Sequence, residues 1–419
     1  MISPRLKIIL VKVRRLLFLK STSAFDFILY YLSLPYNSVQ NAEGKGRKEK
    51  KIVFVGEFLP PRIPRVAKWL KKTDASFVTV LLCHSSGFVE KFSNDSFDQT
   101  VLFRNEWHLK RILHGIRDAY ILHGFAPKSQ YPSIAHKMLK CPFVADMQDV
   151  FSIYYGLHPK LNWLKKELPY EKDCLLHADG IVAHSLEPNV ALRLLKCDSK
   201  PRTLFFPLYC DPDFFRNSNR KFNAGEIHLV YAGGVTGSHR DPKQYGSTQF
   251  HGLIKILSEQ KIHLHIYPSP SNIPADYQEY DLISKKNPFF HFHPPVHQND
   301  LTNELAKYDF GILPFFKNQT EQSESKLKYA TTLKLFNYLE AGIPILVSED
   351  IFYQNWLIKR YQTGLNLNQN DLNNLNALIL KADYNELKQS VQKIRELFSL
   401  KNQIKRIIEF YDALTKLAP

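Results

Sequence analysis

The chain has 419 residues, 44% of them hydrophobic, with a net charge of +16 and a pI near 9.4. That length suits two domains with ordinary buried cores, and the basic balance points to anionic partners. The five cysteines (Cys83, Cys141, Cys174, Cys197, Cys210) are odd in number and lack a C-x-x-C pair. They argue against a disulfide framework or a cysteine zinc site and fit a reducing, cytoplasmic compartment.

Residues 1–51 hold eleven Lys and Arg against three acidic residues, half of the net charge of +16. Leu6, Leu10, Val13 and Leu17 form one helical stripe that the basic residues avoid. No apolar run is long enough to span a membrane, and Lys12, Arg14 and Arg15 interrupt any signal-peptide core. Two readings stand: a basic amphipathic helix lying on anionic lipid, or a helix docked on the protein with its lysines snorkelling. Asn41–Lys51 reads as a linker.

From Ile52, apolar runs alternate with helical patterns. Strands are expected at Ile52–Gly56, Phe77–Cys83, Ala119–His123, Phe143–Met147, Gly180–Ala183 and Thr203–Phe206. Helices are expected at Ile63–Lys72, Glu106–Ile116, Ser129–Leu139, around Tyr170–His177, and at Glu187–Leu195. This alternation predicts an α/β domain with a doubly wound parallel sheet, whose ligands sit beyond the carboxyl ends of the strands. The candidates are therefore Glu57, Arg62, His123, Asp146, Asp149, His184 and Pro207. Asp146 and Asp149 read equally as helix caps, and His123 equally as a satisfied core histidine.

Asp211–Glu226 reads as a hinge. Strand His228–Ala232 then runs into Gly233-Gly234-Val235-Thr236-Gly237-Ser238-His239-Arg240, where backbone amides can approach a ligand, with Arg240 and Lys243 in reach of a phosphate. Further elements are helix Gln249–Glu259, strands His263–Tyr267 and Phe290–His293, helix Gln298–Lys307 and strand Phe310–Leu313. His291, His293 and His297 read as a strand end with alternating histidines rather than a metal site. After a polar loop, Lys317–Lys328, comes the most informative stretch, Thr331 to Val347. Thr331 or Thr332 caps a helix, Leu335, Phe336 and Leu339 face a sheet, Gly342 ends the helix, and Ile345–Val347 is a buried strand. Lys334 beside that helix N-terminus makes an anion site, with Asn337 and Glu340 along one side. A helix at Tyr353–Arg360, a strand at Gly364–Leu367 and helices from Asp371 and Asp383 follow. The last helix carries a stripe at Ile404, Ile407, Ile408, Tyr411 and Leu414.

The segment Lys334-Leu335-Phe336-Asn337-Tyr338-Leu339-Glu340-Ala341-Gly342-Ile343-Pro344 resembles the K-L-F-E-Y-L-x-A-G-x-P motif of family 4 (group 1) glycosyltransferases of the GT-B fold. Pro60-Pro61-Arg62, Asp146-Met147-Gln148-Asp149 and Ala178–Ser185 resemble the family's opening loop, acceptor-side turn and following strand. The resemblance covers about Lys51–Pro419 and implies two Rossmann-like domains facing across a cleft. The implied division is a basic extension (1–50), an acceptor-side domain (51–223), a donor-side domain (224–400) and a C-terminal helix (401–419) returning to the first domain. It implies sugar transfer from a nucleotide-diphosphate-sugar to a glycan or lipid-linked acceptor hydroxyl in cell-envelope synthesis, with retention and without a bound metal or other cofactor. No Asp-x-Asp follows a strand of the second domain. By resemblance, Gly233, Gly234, Arg240, Lys243, Thr332 and Lys334 hold the diphosphate and Val296 meets the base. Asn337 stands where the family has a ribose-binding Glu, with Glu340 as the other candidate, and Asp149 and His123 are the candidate catalytic residues. The rival readings are a nucleotide-sugar epimerase of the same fold and a non-catalytic scaffold binding membrane or partner. Nucleic acid is disfavoured because the aromatics are not interleaved with Lys and Arg.

Overall fold

The computed structural model describes residues 49–87, 96–196, 201–218, 220–316 and 328–417, without the side chains of Lys243 and Gln244. The basic stretch at 1–48 and most of the polar loop, 317–327, lie outside the described residues.

The first domain is a seven-stranded parallel sheet. Its strands are β1 (Lys50–Gly56), β2 (Phe77–His84), β3 (Gln99–Phe103), β4 (Ala119–Phe125), β5 (Phe143–Met147), β6 (Gly180–Ala183) and β7 (Arg202–Phe205), in the order β3-β2-β1-β4-β5-β6-β7. The second is a six-stranded parallel sheet. It holds β8 (His228–Gly233), β9 (His263–Pro268), β10 (Phe290–Phe292), β11 (Phe310–Leu313), β12 (Ile345–Ser348) and β13 (Gly364–Leu367), in the order β10-β9-β8-β11-β12-β13. The expected pair of doubly wound domains is therefore present. In β1, β5, β6, β11 and β12 nearly every side chain is buried, because helices cover both faces of each sheet. Each sheet reverses its strand order beside its first strand, opening a crevice at the strand carboxyl ends, between β1 and β4 and between β8 and β11.

Several elements differ from expectation. Strand β3 lies at the sheet edge with polar Gln99 and Thr100 at its start, so it lacks the apolar run of a central strand. Helix Asn162–His177 begins a full two turns before Tyr170, with Pro169 accommodated inside it. Helix Pro274–Ser284 buries little beyond Asp276 and Tyr280, so its apolar face is too narrow to read as a stripe.

The final helix, Leu400–Thr415, returns to the first domain and buries Leu400, Ile404, Ile407, Tyr411 and Leu414 against one face of the first sheet. The two chain crossings between domains run side by side: Cys210 N–H donates to the Phe398 carbonyl (2.8 Å) and Leu400 N–H to the Cys210 carbonyl (2.7 Å). Helix Arg62–Thr73 leans on this hinge. Trp69 Nε1–H donates to Asp211 (2.9 Å), and Arg65 pairs with Glu340 of the second domain (2.7 Å). Glu340 also accepts from Asp211 N–H (2.7 Å) and is wholly excluded from water.

Removing one partner of a buried pair leaves the other charge uncompensated, which costs about 3–5 kcal/mol. Glu340→Ala should therefore lower unfolding stability by about that amount in urea titration. A loss below about 1 kcal/mol, the value of an exposed pair, would show the bridge to be solvated.

Candidate active site

The cleft between the domains contains two joined cavities. One, of about 480 Å3, is lined by Asp149, Tyr154 and Tyr155 of the first domain and by Gly234, Thr332 and Lys334 of the second. The other, of about 600 Å3, continues from Gly234, Thr332 and Lys334 past Gly233 and Asn337 to Val296. Lys334 thus stands at the junction. A larger groove of about 880 Å3, floored by Ser152, Leu168 and Glu171, lies elsewhere on the first domain and holds none of the residues singled out by the sequence.

Thr332 is the cap of helix Leu333–Ala341: its backbone is extended and its side chain accepts from Lys334 N–H (3.4 Å). Gln354, with its amide oriented to satisfy both neighbours, donates to the Ala330 carbonyl (3.2 Å) and accepts from Thr332 N–H (3.1 Å). Gly342, at φ +75°, closes the helix, since its left-handed conformation is costly for other residues. The helix is anchored to the sheet by Tyr338, whose hydroxyl accepts from Ala232 N–H (3.3 Å) and donates to the Ile312 carbonyl (3.3 Å). Its N-terminus therefore points steadily at the end of β8. There the Lys334 side chain crosses Gly233, where a Cβ would lie 2.1 Å from Lys334 Cε at a backbone φ of +152°. Lys334 Nζ sits 5.5 Å from the ring centres of both Tyr231 and Phe315. A cation, a helix N-terminus and a glycine loop thus converge on one point, which is the composition of an anion site.

Residues 253–409 match the family model described as glucosyltransferase 3-like, C-terminal domain. A search of curated proteins matches nothing. Among solved structures, a glycosyltransferase from Rickettsia africae ESF-5 superposes with a TM-score of 0.64 at 14% identity, covering 88% of this chain and 100% of that one. Anabaena HepE in complex with UDP and glucose superposes at 0.63 and 11% identity, covering 86% and 100%. Sucrose-phosphate synthase from Thermosynechococcus elongatus gives 0.59 and 11%, covering 87% and 99%. The chain is a glycosyltransferase of the GT-B fold. The family match includes helix Leu333–Ala341 and most of the second domain of the glycosyltransferase.

Of the residues singled out from the sequence, Gly233, Gly234, Thr332, Lys334, Asn337, Val296 and Asp149 line the cleft cavities. Asn337 is nearly buried and accepts from Gln298 Nε2–H (3.2 Å), on the side of the cavity toward Val296. Asp149 accepts from the Tyr154 hydroxyl (2.8 Å). Arg240 is placed outside both cavities, in a two-point pair with Asp276 (2.8 and 3.2 Å). The Lys243 side chain lies outside the described residues. Glu340 does not share an outward side with Asn337. Both its oxygens face Arg65, at 2.7 and 3.5 Å, so it braces the domains and lines neither cavity. His297 does not join His291 and His293; it caps helix Gln298–Leu305 and lines the larger cavity. The sequence reading missed Tyr154 and Tyr155, which sit on a five-residue helix, Phe151–Tyr155, too short to show a period.

His123 lies below the cleft in the glycosyltransferase, fully buried in a network centred on Asp146. Asp146 receives two bonds from Arg62 Nη1 (2.7 and 2.9 Å), one from His184 Nε2–H (2.6 Å) and one from His123 Nε2–H (3.0 Å). Tyr411 of the returning helix donates to His123 Nδ1 (2.6 Å), so the hydrogen bonds run in one sense, from Tyr411 through His123 to Asp146. His123 therefore positions Asp146 and does not reach the cavities. Burial opposes ionisation of Asp146, but Arg62 and the two histidines outweigh it and hold its carboxyl well below the usual range. Burial first, then Arg62, push His184 down to about 4 against the attraction of Asp146 and Asp149. His184 is thus neutral, its Nδ1 unprotonated and without a hydrogen bond.

Because the folded His184 value is below the ordinary 6.5, the unfolded chain binds the proton first as pH falls. Its stabilising contribution is complete above about 6.5 and is lost as pH falls toward about 4, amounting to roughly 3 kcal/mol. Asp146, depressed in the folded state, adds stability above about 3.9 that is lost only at lower pH. Urea unfolding at pH 7 and pH 4.5 should show a smaller loss for His184→Gln than for wild type. Equal losses would show that His184 keeps an ordinary affinity for protons.

Proposed function

We propose that the enzyme moves a sugar from a nucleotide-diphosphate-sugar, bound by the second domain, to an acceptor hydroxyl presented by the first. The observation that carries this reading is the convergence of the Thr332-capped helix, Lys334 and the Gly233–Gly234 loop at the junction of the two cavities. The nucleoside occupies the cavity reaching Val296 and Asn337, and the sugar and acceptor occupy the one facing Asp149. UDP complexes among the structures of similar fold, HepE and Staphylococcus aureus MnaA, support a diphosphate donor. As the bond to the sugar breaks, negative charge grows on the leaving diphosphate. Lys334 and the helix amides meet that charge without reorganising, which lowers the barrier. Asn337 reaches a ribose diol as a neutral hydrogen-bonding group where related sequences use a carboxylate. Asp149, tied to Tyr154, orients the acceptor hydroxyl. The course is retention, on the resemblance to the family 4 enzymes.

We further propose a glycan or lipid-linked acceptor at an anionic membrane, supported by the excess of basic residues in 1–51. Among the described residues no helix is long and apolar enough to cross a membrane. Each Lys or Arg near an anionic surface contributes about 1 kcal/mol, and salt weakens the attraction.

Lys334→Ala should lower turnover about ten- to a thousand-fold, or roughly 1.4–4 kcal/mol of transition-state stabilisation, with the fold intact. Full turnover by the folded variant would remove the lysine from the reaction. In sedimentation with vesicles containing anionic lipid, the intact chain should bind and release as salt rises, and a chain starting at Lys51 should bind poorly. Equal binding by both would place the membrane-facing charge elsewhere.

A further inference from the structure

The edge of the second sheet carries five histidines in one contiguous layer, which runs from the amino end of β8 to His293, stacked 4.4 Å from Tyr267 of the cleft wall. His228 begins β8, His263 and His265 lie on β9, and His291 and His293 lie on and just after β10. In the parallel register His228 sits beside His263, and His265 beside His291. Residues two apart on a strand share a face, so the five rings form one layer. The rings of His228 and His263 stack 4.3 Å apart, only 8° from parallel. Glu226, exposed at the end of the crossing from the first domain, stands over them with Oε1 3.3 Å from His228 Nε2. One ligand atom from each of Glu226, His228 and His263 lies within 4.8 Å of the other two, and among the described residues no other such group of three occurs.

We propose that Glu226, His228 and His263 form a binding site for a zinc-class divalent transition-metal ion, with the remaining position open to water. Two neutral imidazoles and one carboxylate suit such an ion, whereas Ca2+ and Mg2+ take oxygen ligands. Metal–nitrogen bonds of about 2.0–2.1 Å in a tetrahedron require ligand atoms about 3.4 Å apart. The Glu226–His228 edge already has that length, at 3.3 Å, and exposed Glu226 can adjust to close its edge to His263, while the two stacked rings must rotate so that their Nε2 atoms turn toward one ion. Nε2 of His228 is shut from bulk water and makes no well-directed hydrogen bond, which leaves a buried acceptor aimed at the site.

The layer beneath supplies what metal-bound histidines need, a partner for the other ring nitrogen. His228 Nδ1 is 2.8 Å from His265 Nε2, and His265 Nδ1 is 3.0 Å from His293 Nε2. His263 Nδ1 is 3.0 Å from His291 Nε2. With each Nδ1–H donating inward, both ligand histidines present an unprotonated Nε2 to the ion. The site lies at the amino end of β8, about 17 Å from the Gly233 end by strand geometry. It would therefore clasp the hinge terminus to two strands of the donor domain and leave the cleft untouched.

Calorimetric titration of the chelator-treated full chain with zinc chloride tests this, with magnesium chloride as the control. The expected result is one zinc ion per chain and no magnesium. Glu226→Gln, at an exposed position, and His263→Ala should each weaken zinc binding at least about tenfold, since even supporting residues contribute that much. X-ray absorption at the zinc edge of the wild-type complex should show two imidazoles, a readout independent of how the variants fold. No zinc binding by the wild type would overturn the proposal. So would undiminished affinity in both variants, or a spectrum without two imidazoles.

Discussion

Two arginines one helical turn apart hold the cleft together. Arg62 and Arg65 lie on the first helix after β1, and each meets a buried carboxylate at 2.7 Å. Arg62 turns into its own domain and fixes Asp146, from which His184 and His123 are oriented. Arg65 turns across the hinge and fixes Glu340, near the carboxyl end of the helix whose amino end carries Thr332 and Lys334. A displacement of helix Arg62–Thr73 would therefore move the first-domain wall of the cleft and the helix Leu333–Ala341 together. Such pairs add little net stability over a well-packed apolar core, but they tolerate no half-measures. Their value here is geometric, since they couple two rigid sheets at one place and leave the cleft open elsewhere.

The donor side follows from the same economy of parts. Reversal of the strand order beside β8 opens a crevice, and the β8 turn enters it with two glycines. Only a residue without a side chain at 233 lets Lys334 lie over the turn, so glycine and lysine specify one another across a long stretch of sequence. The Tyr338 hydroxyl bridges Ala232 and Ile312, holding the helix to both strands that flank the crevice. Under the proposed function, the charge that departs with the nucleotide is met by groups already in place.

Most of the strands were legible in the sequence because buried parallel strands are continuous apolar runs with glycine or proline nearby. Strand β3 was not, since an edge strand with one solvated face has no such run. The Thr332 cap, Lys334 and the glycine turn of the candidate anion site were legible because capping, a first-turn lysine and a glycine turn are all local rules. Glu340 and His123 were not: their partners, Arg65 and Tyr411, stand 275 and 288 positions away. Spacing along a helix placed Glu340 beside Asn337, but only the packing of two domains decides which of them faces a cavity. The paired histidines of β9 and β10 had the same difficulty, because their register depends on a helix the periodicity did not reveal.

The central claim is that the diphosphate of the donor rests at the amino end of helix Leu333–Ala341. A crystal structure of the chain with UDP tests it most directly. The account predicts phosphate oxygens within hydrogen-bond distance of Lys334 Nζ and the backbone at Gly234, with the base toward Val296. A nucleotide bound in the groove over Ser152 and Leu168, or with its phosphates turned away from Lys334, would contradict it.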